Sequence, residues 1–154
     1  MNRKRKIIIG LLVLVVVVQT IQPTHNTSKT LSENDISKTY AISEQVHSIF
    51  REKCYDCHSN NTRYPWYSYI QPIGWWLAAH IYDGKEHLDF SEFKTYPKKK
   101  AIHKLEELSE SINEGWMPID TYLWIHHDAT ITLSDRDAIN AWLKTLPVKI
   151  ETKD

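Results

Sequence analysis

The sequence has 154 residues, with 19 Lys and Arg against 19 Asp and Glu, and only two cysteines. This length suits a single compact domain. The first 22 residues hold four of the cations and none of the anions, so the remainder carries a net charge of about −4. A mildly acidic domain argues against a nucleic-acid partner.

The N-terminal segment combines positive charge with an apolar run. Basic residues at positions 3 to 6 precede an unbroken apolar stretch from Ile7 to Val18, as in a secretory signal. No small-x-small cleavage site follows, and the stretch to Ile21 is slightly short of the roughly 17–20 apolar residues that a bilayer core requires. We therefore expect residues 1–22 to be a signal sequence or, by a slight preference, an uncleaved membrane anchor. Both place the rest on the periplasmic side of the inner membrane.

The next segment is polar. Residues 23–40 are rich in Ser, Thr and Asn and lack apolar periodicity, which predicts a tether. The main domain is expected over residues 41–148, followed by a short tail at 149–154.

Four helices are predicted from apolar periodicity and capping residues. Ser43 is the expected N-cap of the first, and Gly115 the expected left-handed residue after the third. Ser134, with Asp137 three residues later, resembles a capping box for the last. In chain order, the helices run from Ser43 to the cysteines, from Ile73 to a stop at Asp83-Gly84, from Pro97 to Glu114, and from Ser134 to Pro147. No segment alternates as a strand does, so the expected fold is all-α.

The two cysteines lie in the run C-Y-D-C-H, formed by Cys54 to His58. A C-x-x-C-H run is the attachment signature for c-type haem. Each sulfur adds to one vinyl group of the porphyrin, and one helical turn spans both groups. His58 then lies below the iron and donates an imidazole nitrogen as an axial ligand. The motif predicts one covalent haem c, held by Cys54 and Cys57.

Three alternatives remain for these residues. A disulfide or thiol–disulfide oxidoreductase site usually accompanies a βαβ pattern, which this sequence lacks. A zinc site needs further ligands at short, regular spacing, and the chain has no other cysteine. A chance match is the third alternative.

A second signal follows the third predicted helix, in the run G-W-M-P. Met117 is the only methionine besides the initiator, so a thioether ligand must come from it. His/Met ligation raises the reduction potential and suits electron transfer. His80, His103 and His126 are rivals for the same position, because ligation by two imidazoles is equally sound chemically. Packing in the core is the other interpretation of Met117.

Aromatic residues surround the motif in the sequence. Such side chains exclude water from a haem, and their polar atoms reach propionates. Arg63 is a candidate propionate partner, with simple solvent exposure as the alternative. The aromatic residues predicted to contact the haem are Trp66, Trp75 and Trp76.

The order of these features resembles class I c-type cytochromes, in which a helix enters C-x-x-C-H, a Met-Pro pair follows and a C-terminal helix crosses the first. The chain resembles more closely the bacterial haem-binding domain family of exported single-haem proteins. The shared stretches are C-Y-D-C-H-S-N-N-T-R-Y-P-W-Y, P-I-G-W-W, F-S-E-F, G-W-M-P and Y-L-W-I-H-H-D-A. The resemblance implies a cytochrome c-like helical domain wrapped around one covalent haem. By analogy with class I cytochromes, the carbonyl of Pro65 or Pro72 accepts the second ring N–H of His58.

These features predict an exported monohaem c-type cytochrome that transfers electrons to and from redox protein partners, with no catalytic residue. The alternative is a haem-based sensor whose weak Met117 ligand is displaced by a signal. A peroxidase-like enzyme is a weaker alternative, because it needs an open iron site, and the sequence shows no distal His/Arg pair or carboxylate dyad.

Overall fold

The computed structural model describes residues 2–28 and 30–148. Within these residues all regular secondary structure is helical, and the one β-type contact is an isolated bridge between Thr27 and Asn61. The all-α prediction is therefore confirmed. The predicted tail at 149–154 lies outside the described residues.

The described part of the chain contains eight α-helices and three short 3-10 turns. The helices are α1 (Arg3–Gln19), α2 (Ile36–Thr39), α3 (Glu44–Lys53), α4 (Tyr55–His58), α5 (Ile73–His87), α6 (Lys98–Glu114), α7 (Asp120–Leu123) and α8 (Leu133–Lys144). The 3-10 turns are Trp66–Tyr69, Phe90–Thr95 and His127–Ala129.

Helix α1 contains the apolar run of the N-terminal segment. None of its residues is buried against the rest of the chain. Among the described residues, no helix combines the length and the apolar character needed to cross a bilayer.

The polar segment 23–40 packs on the main domain, although its composition predicts a tether. The side chain of Asn26 donates to the carbonyl of Ser59 at 2.6 Å and to the hydroxyl of Thr62 at 3.0 Å. Asp35 and Ile36 are completely buried. Polar side chains here satisfy hydrogen-bonding groups of a loop far along the chain, which composition alone does not reveal. The packed domain therefore begins before residue 41.

The core lies between α3, α6, α8 and the turn at Phe90–Thr95. Ser43 caps α3 as predicted, because its hydroxyl accepts a hydrogen bond from the backbone N–H of Val46 at 3.3 Å. Phe50 stacks on Phe90 with ring centroids 4.9 Å apart and meets the edge of Trp142 at 5.5 Å. These ring contacts join α3 to α8 and hold the end of α3, which the cysteines follow, against the core.

The capping box of α8 lies two residues earlier than predicted. Thr132 is the N-cap, and its hydroxyl accepts from the N–H of Asp135 at 3.1 Å, while the Asp135 carboxylate accepts from the N–H of Thr132 at 2.8 Å. Lys53, directly before Cys54, donates to the same carboxylate at 2.6 Å. The tertiary contact with Lys53 favours Asp135 over Asp137 as the capping acid.

We expect Asp135→Asn to lower the free energy of unfolding at pH 7 by about 1–2 kcal/mol, because the capping box is lost. Partial burial alone raises the pKa of Asp135, but hydrogen bonds from Lys53 and Thr132 outweigh it and hold this pKa below its usual value. The stabilisation is therefore present above the unfolded pKa of about 4 and is lost as the pH falls through the folded pKa. Urea unfolding at pH 7 and at pH 3 should show a smaller difference between wild type and variant in acid.

The control is Asp137→Asn on the same helix, which should change the stability little. Equal losses for both variants at pH 7 would contradict the assignment of Thr132 and Asp135 as the capping box.

Candidate haem site

A cavity of about 470 Å³ lies between the C-x-x-C-H segment, α5, α6 and the loop that follows α6. This size is within the range of about 300–1,000 Å³ typical of sites for small molecules and cofactors. Cys54, Cys57 and His58 lie in its wall, and Met117 lies in the wall of the same cavity. The fold thus brings together the four residues predicted to attach and ligate a haem.

Most of the wall is apolar. Besides Met117, its apolar side chains are Leu88, Phe90, Leu108, Ile112, Trp116, Pro118, Ile119 and Ile131. Such a wall excludes water from a macrocycle and lowers the local dielectric, which is one of the means by which a protein sets the potential of a bound iron.

The imidazole of His58 is held in place by a hydrogen bond to the backbone. Its Nδ1 lies 2.9 Å from the carbonyl oxygen of Leu88, at the end of α5. With the proton on Nδ1, the Nε2 atom keeps its lone pair for a metal. Burial outweighs the hydrogen bonds to backbone carbonyls and lowers the pKa of His58, so the ring is neutral at neutral pH, as a ligand must be.

The prediction that Pro65 or Pro72 supplies this carbonyl is wrong. The carbonyl of Pro65 accepts from the N–H of Ser68 at 3.0 Å, and that of Pro72 accepts from the N–H of Trp76 at 3.1 Å. Both carbonyls are used within local turns, so the acceptor comes from the far end of α5.

Helix α5 passes very close to the C-x-x-C-H segment at Gly84. A Cβ atom on this glycine would lie 2.9 Å from the carbonyl oxygen of Cys57 and 3.3 Å from its Cβ. The sequence predicted that α5 stops at Asp83-Gly84, but the helix continues to His87. Gly84 is therefore needed for close packing on Cys57, and the extra turn carries Leu88 to His58.

The two thiols do not resemble those of a redox enzyme. Both cysteines are free, and burial raises the pKa of Cys54 to about 12 and that of Cys57 to about 11. Catalytic cysteines have lowered pKa values instead. In the described residues no cluster of three or more His, Cys, Asp and Glu side chains is arranged to hold a metal ion. The oxidoreductase and zinc interpretations therefore gain no support.

Asp56, inside the motif, is buried and strongly hydrogen-bonded. Its carboxylate accepts from Nε of Arg63 at 3.2 Å and from the hydroxyl of Tyr122 at 2.9 Å. Arg63, the predicted propionate partner, does not line the cavity, since its guanidinium is directed to Asp56 and to the carbonyl of Glu52. Sequence reasoning missed Asp56 and Tyr122, although a carboxylate between two buried cysteines requires such partners.

Met117 reaches the cavity because α6 ends in a left-handed residue. Gly115 has φ 77°, as predicted, and its N–H donates to the carbonyl of Ser111 at 3.1 Å. The N–H of Met117 donates to the same carbonyl at 3.4 Å. The chain therefore folds back over the end of α6 and brings Met117 to the cavity wall.

The histidines proposed as alternatives to Met117 separate into two groups. His80 lines the cavity, and so does His87, which the sequence analysis did not single out. His103 is exposed on α6, and His126 is held by the Tyr67 hydroxyl at 2.6 Å. Neither of these two lines the cavity.

The predicted tryptophan contacts are not formed at this cavity. Trp66 is 75% exposed, Trp75 36% and Trp76 42%, and none of them lines the wall. These three side chains are close to the motif in the sequence, but they are exposed to solvent on the 3-10 turn and on the first turn of α5. The aromatic wall comes from Phe90, Trp116 and Tyr122.

An all-helical domain with a neutral, oriented imidazole in an apolar cavity of this size has the arrangement of a haem-binding protein. Comparison with known families agrees. Residues 13–145 match the family described as the haem-binding domain, and the chain belongs to that family. No curated protein and no solved structure matches the sequence.

We expect Gly84→Ala to lower the free energy of unfolding by up to about 2 kcal/mol. Alanine gains about 1 kcal/mol in helix propensity over glycine, but forcing a methyl group against backbone costs about 1–3 kcal/mol. Its Cβ would meet the Cys57 carbonyl at 2.9 Å, and backbone cannot move aside cheaply. Chemical denaturation of the purified protein measures the difference.

The matched control is Gly10→Ala in α1, where an added Cβ has no neighbour within 4 Å. This control should be neutral or slightly stabilising. A stability gain for Gly84→Ala would contradict the close approach of α5 to Cys57.

Proposed function

We propose that this protein is an exported single-haem c-type cytochrome that carries electrons. Cys54 and Cys57 attach the haem covalently, and His58 and Met117 are its axial ligands. The observation that carries the proposal is that these four side chains line one apolar cavity. No residue of the chain is proposed as catalytic.

The local geometry of the motif supports covalent attachment. The N–H groups of Cys57 and His58 both donate to the carbonyl of Cys54, at 3.2 and 3.0 Å. One tight helical turn therefore presents both sulfurs and the imidazole to the same cavity. Gly84 of α5 packs closely against this turn at Cys57, and the hydrogen bond from His58 to the Leu88 carbonyl joins the turn to the end of α5.

The composition of the wall supports electron transfer over catalysis. A bound haem supplies an iron that alternates between ferric and ferrous states. A neutral imidazole and a thioether stabilise the ferrous state, and the apolar wall disfavours the additional charge of the ferric state. With His58 and Met117 both engaged, no coordination position is left for a substrate.

The N-terminal segment supports export. Four basic residues followed by an apolar helix form the pattern of a secretory signal, and haem attachment to C-x-x-C-H motifs takes place outside the cytoplasm. We therefore place the domain on the periplasmic side of the inner membrane, where its partners are redox proteins.

A haem-based sensor is the second candidate function. His80 and His87 line the same cavity as Met117, so an imidazole is available near a thioether ligand that can be displaced. A sensor of this kind would bind carbon monoxide readily in the reduced state, whereas a carrier would not.

Replacing one cysteine tests covalent attachment. We expect Cys57→Ser to abolish one of the two thioether bonds, since serine has no sulfur to add to a vinyl group. The pyridine haemochrome spectrum should then shift to that of a haem with one unsaturated vinyl group. An unshifted spectrum would contradict attachment through both sulfurs.

Replacing the methionine tests the axial ligand. We expect Met117→Ala, matured with a haem-attachment system, to keep its haem, to lose the weak far-red ferric band and to bind carbon monoxide when reduced. His103→Ala is the control, because this exposed side chain lies outside the cavity. A Met117→Ala spectrum identical to wild type would end the methionine hypothesis, and carbon monoxide binding by wild type would favour the sensor.

A further inference from the structure

The stretch between Arg63 and Asp83 contains no charged side chain. From Tyr64 to Tyr82 there is no Asp, Glu, Lys or Arg, in a chain that is 25% charged. Seven large apolar residues of this stretch are exposed to solvent, of which Tyr82 lies at its far end. The other six are here called the aromatic face: Trp66, Tyr69, Ile70, Ile73, Trp75 and Trp76. Exposed apolar patches of this kind mark interaction surfaces.

The residues of the aromatic face lie close together, on two elements that pack on each other. The turn at Trp66–Tyr69 packs directly on the start of α5. A Cβ atom on Gly74 would overlap the carbonyl oxygen of Ser68 and meet the side chain of Gln71 at 2.8 Å. Backbone contact this close fixes the residues of the turn beside those of the helix.

The end of α1 is hydrogen-bonded to this face. The Gln19 side chain donates to the carbonyl of Gln71 at 3.2 Å and accepts from its N–H at 2.8 Å. Two further bonds join the same regions, from Gln22 Nε2 to the Tyr69 carbonyl at 3.1 Å and from Trp75 Nε1 to the Ile21 carbonyl at 2.8 Å. The orientation of α1 is therefore fixed relative to the aromatic face.

Helix α1 is itself apolar on all sides from Ile7 to Val18, and none of these residues is buried. A helix that is apolar all round needs an apolar environment. Because α1 is tied to the aromatic face, an environment that takes up α1 also meets this face. Trp and Tyr prefer the boundary between membrane and water, where the ring is apolar and the polar atom is hydrated.

We propose that the aromatic face lies on a lipid bilayer, at the level of the headgroups, with its orientation set by the end of α1. The continuity of the face with an uncovered apolar helix favours lipid over a protein partner. The absence of charge is consistent with this position, since no charged side chain of the stretch would have to enter the apolar part of the bilayer. The proposal goes beyond the haem function and does not depend on it. The ring of Trp76 packs on His80 at 4.1 Å, so the bilayer would lie beside one edge of the cavity.

Spin labelling of the full chain tests the proposal. A nitroxide is attached to Ile70→Cys in the aromatic face. The control is a nitroxide on Leu133→Cys in α8, a helix that packs on α3 and α6; the Leu133 side chain is 73% exposed. Each variant is reconstituted into vesicles of phosphatidylethanolamine and phosphatidylglycerol. Collisions with oxygen, which partitions into lipid, and with a water-soluble nickel chelate are then measured. The chain without an added cysteine is labelled in parallel. Any label on it must be on Cys54 or Cys57, so this sample reports separately on failure of haem attachment.

We expect the Ile70→Cys label to lose collisions with the nickel chelate and gain collisions with oxygen, while the Leu133→Cys label stays accessible to nickel. Insertion of α1 alone would leave both labels equally accessible to nickel, and this result would overturn the proposal. If the Ile70→Cys label loses collisions with the nickel chelate without vesicles, as the protein concentration rises, this result would overturn the proposal in favour of self-association. Ile73→Cys repeats the test in the same face if Ile70→Cys does not fold.

Discussion

The site depends on the hydrogen bond between Nδ1 of His58 and the carbonyl of Leu88, at 2.9 Å. This bond favours the tautomer with the proton on Nδ1, directs the ring and leaves the Nε2 lone pair available for the proposed iron ligation. It also joins α4 to the end of α5. The same two helices approach each other closely at Gly84 and Cys57, so His58 and the acceptor of its hydrogen bond belong to one packed unit.

A buried carboxylate gives this unit a second support. Asp56 lies inside the motif, and removing it from water is costly unless its oxygens find donors. Arg63 and Tyr122 provide them, and Tyr122 belongs to the segment that follows Met117. The network thus connects the proximal motif to the chain on which the proposed distal ligand lies, so that the two sides of the cavity are held at a fixed separation.

Polar residues near the N-terminus join the N-terminal segment to the rest of the domain by hydrogen bonds. Asn26 satisfies backbone and side-chain groups of the loop after the motif, and Gln19 pairs reciprocally with Gln71. These contacts place the apolar helix α1 beside the uncharged stretch from Tyr64 to Tyr82. The N-terminal segment is therefore joined to the domain by specific hydrogen bonds, in addition to its proposed role in export.

The sequence by itself determined the features that depend on near neighbours. The C-x-x-C-H spacing fits one helical turn, and the Ser43 cap and the left-handed Gly115 follow from local backbone chemistry. Apolar periodicity predicted the all-α fold and the helices that correspond to α3, α6 and α8. Only the tertiary structure decided which distant groups meet. The carbonyl of Leu88, and not that of a proline, accepts the hydrogen bond from His58. Helix α8 is capped by Thr132 instead of Ser134. The cavity wall contains Phe90 and Trp116, whereas the predicted Trp66, Trp75 and Trp76 lie elsewhere. These outcomes depend on helix packing, in which residues far apart in the sequence compete for the same space and the same hydrogen bonds, and no local pattern records that competition.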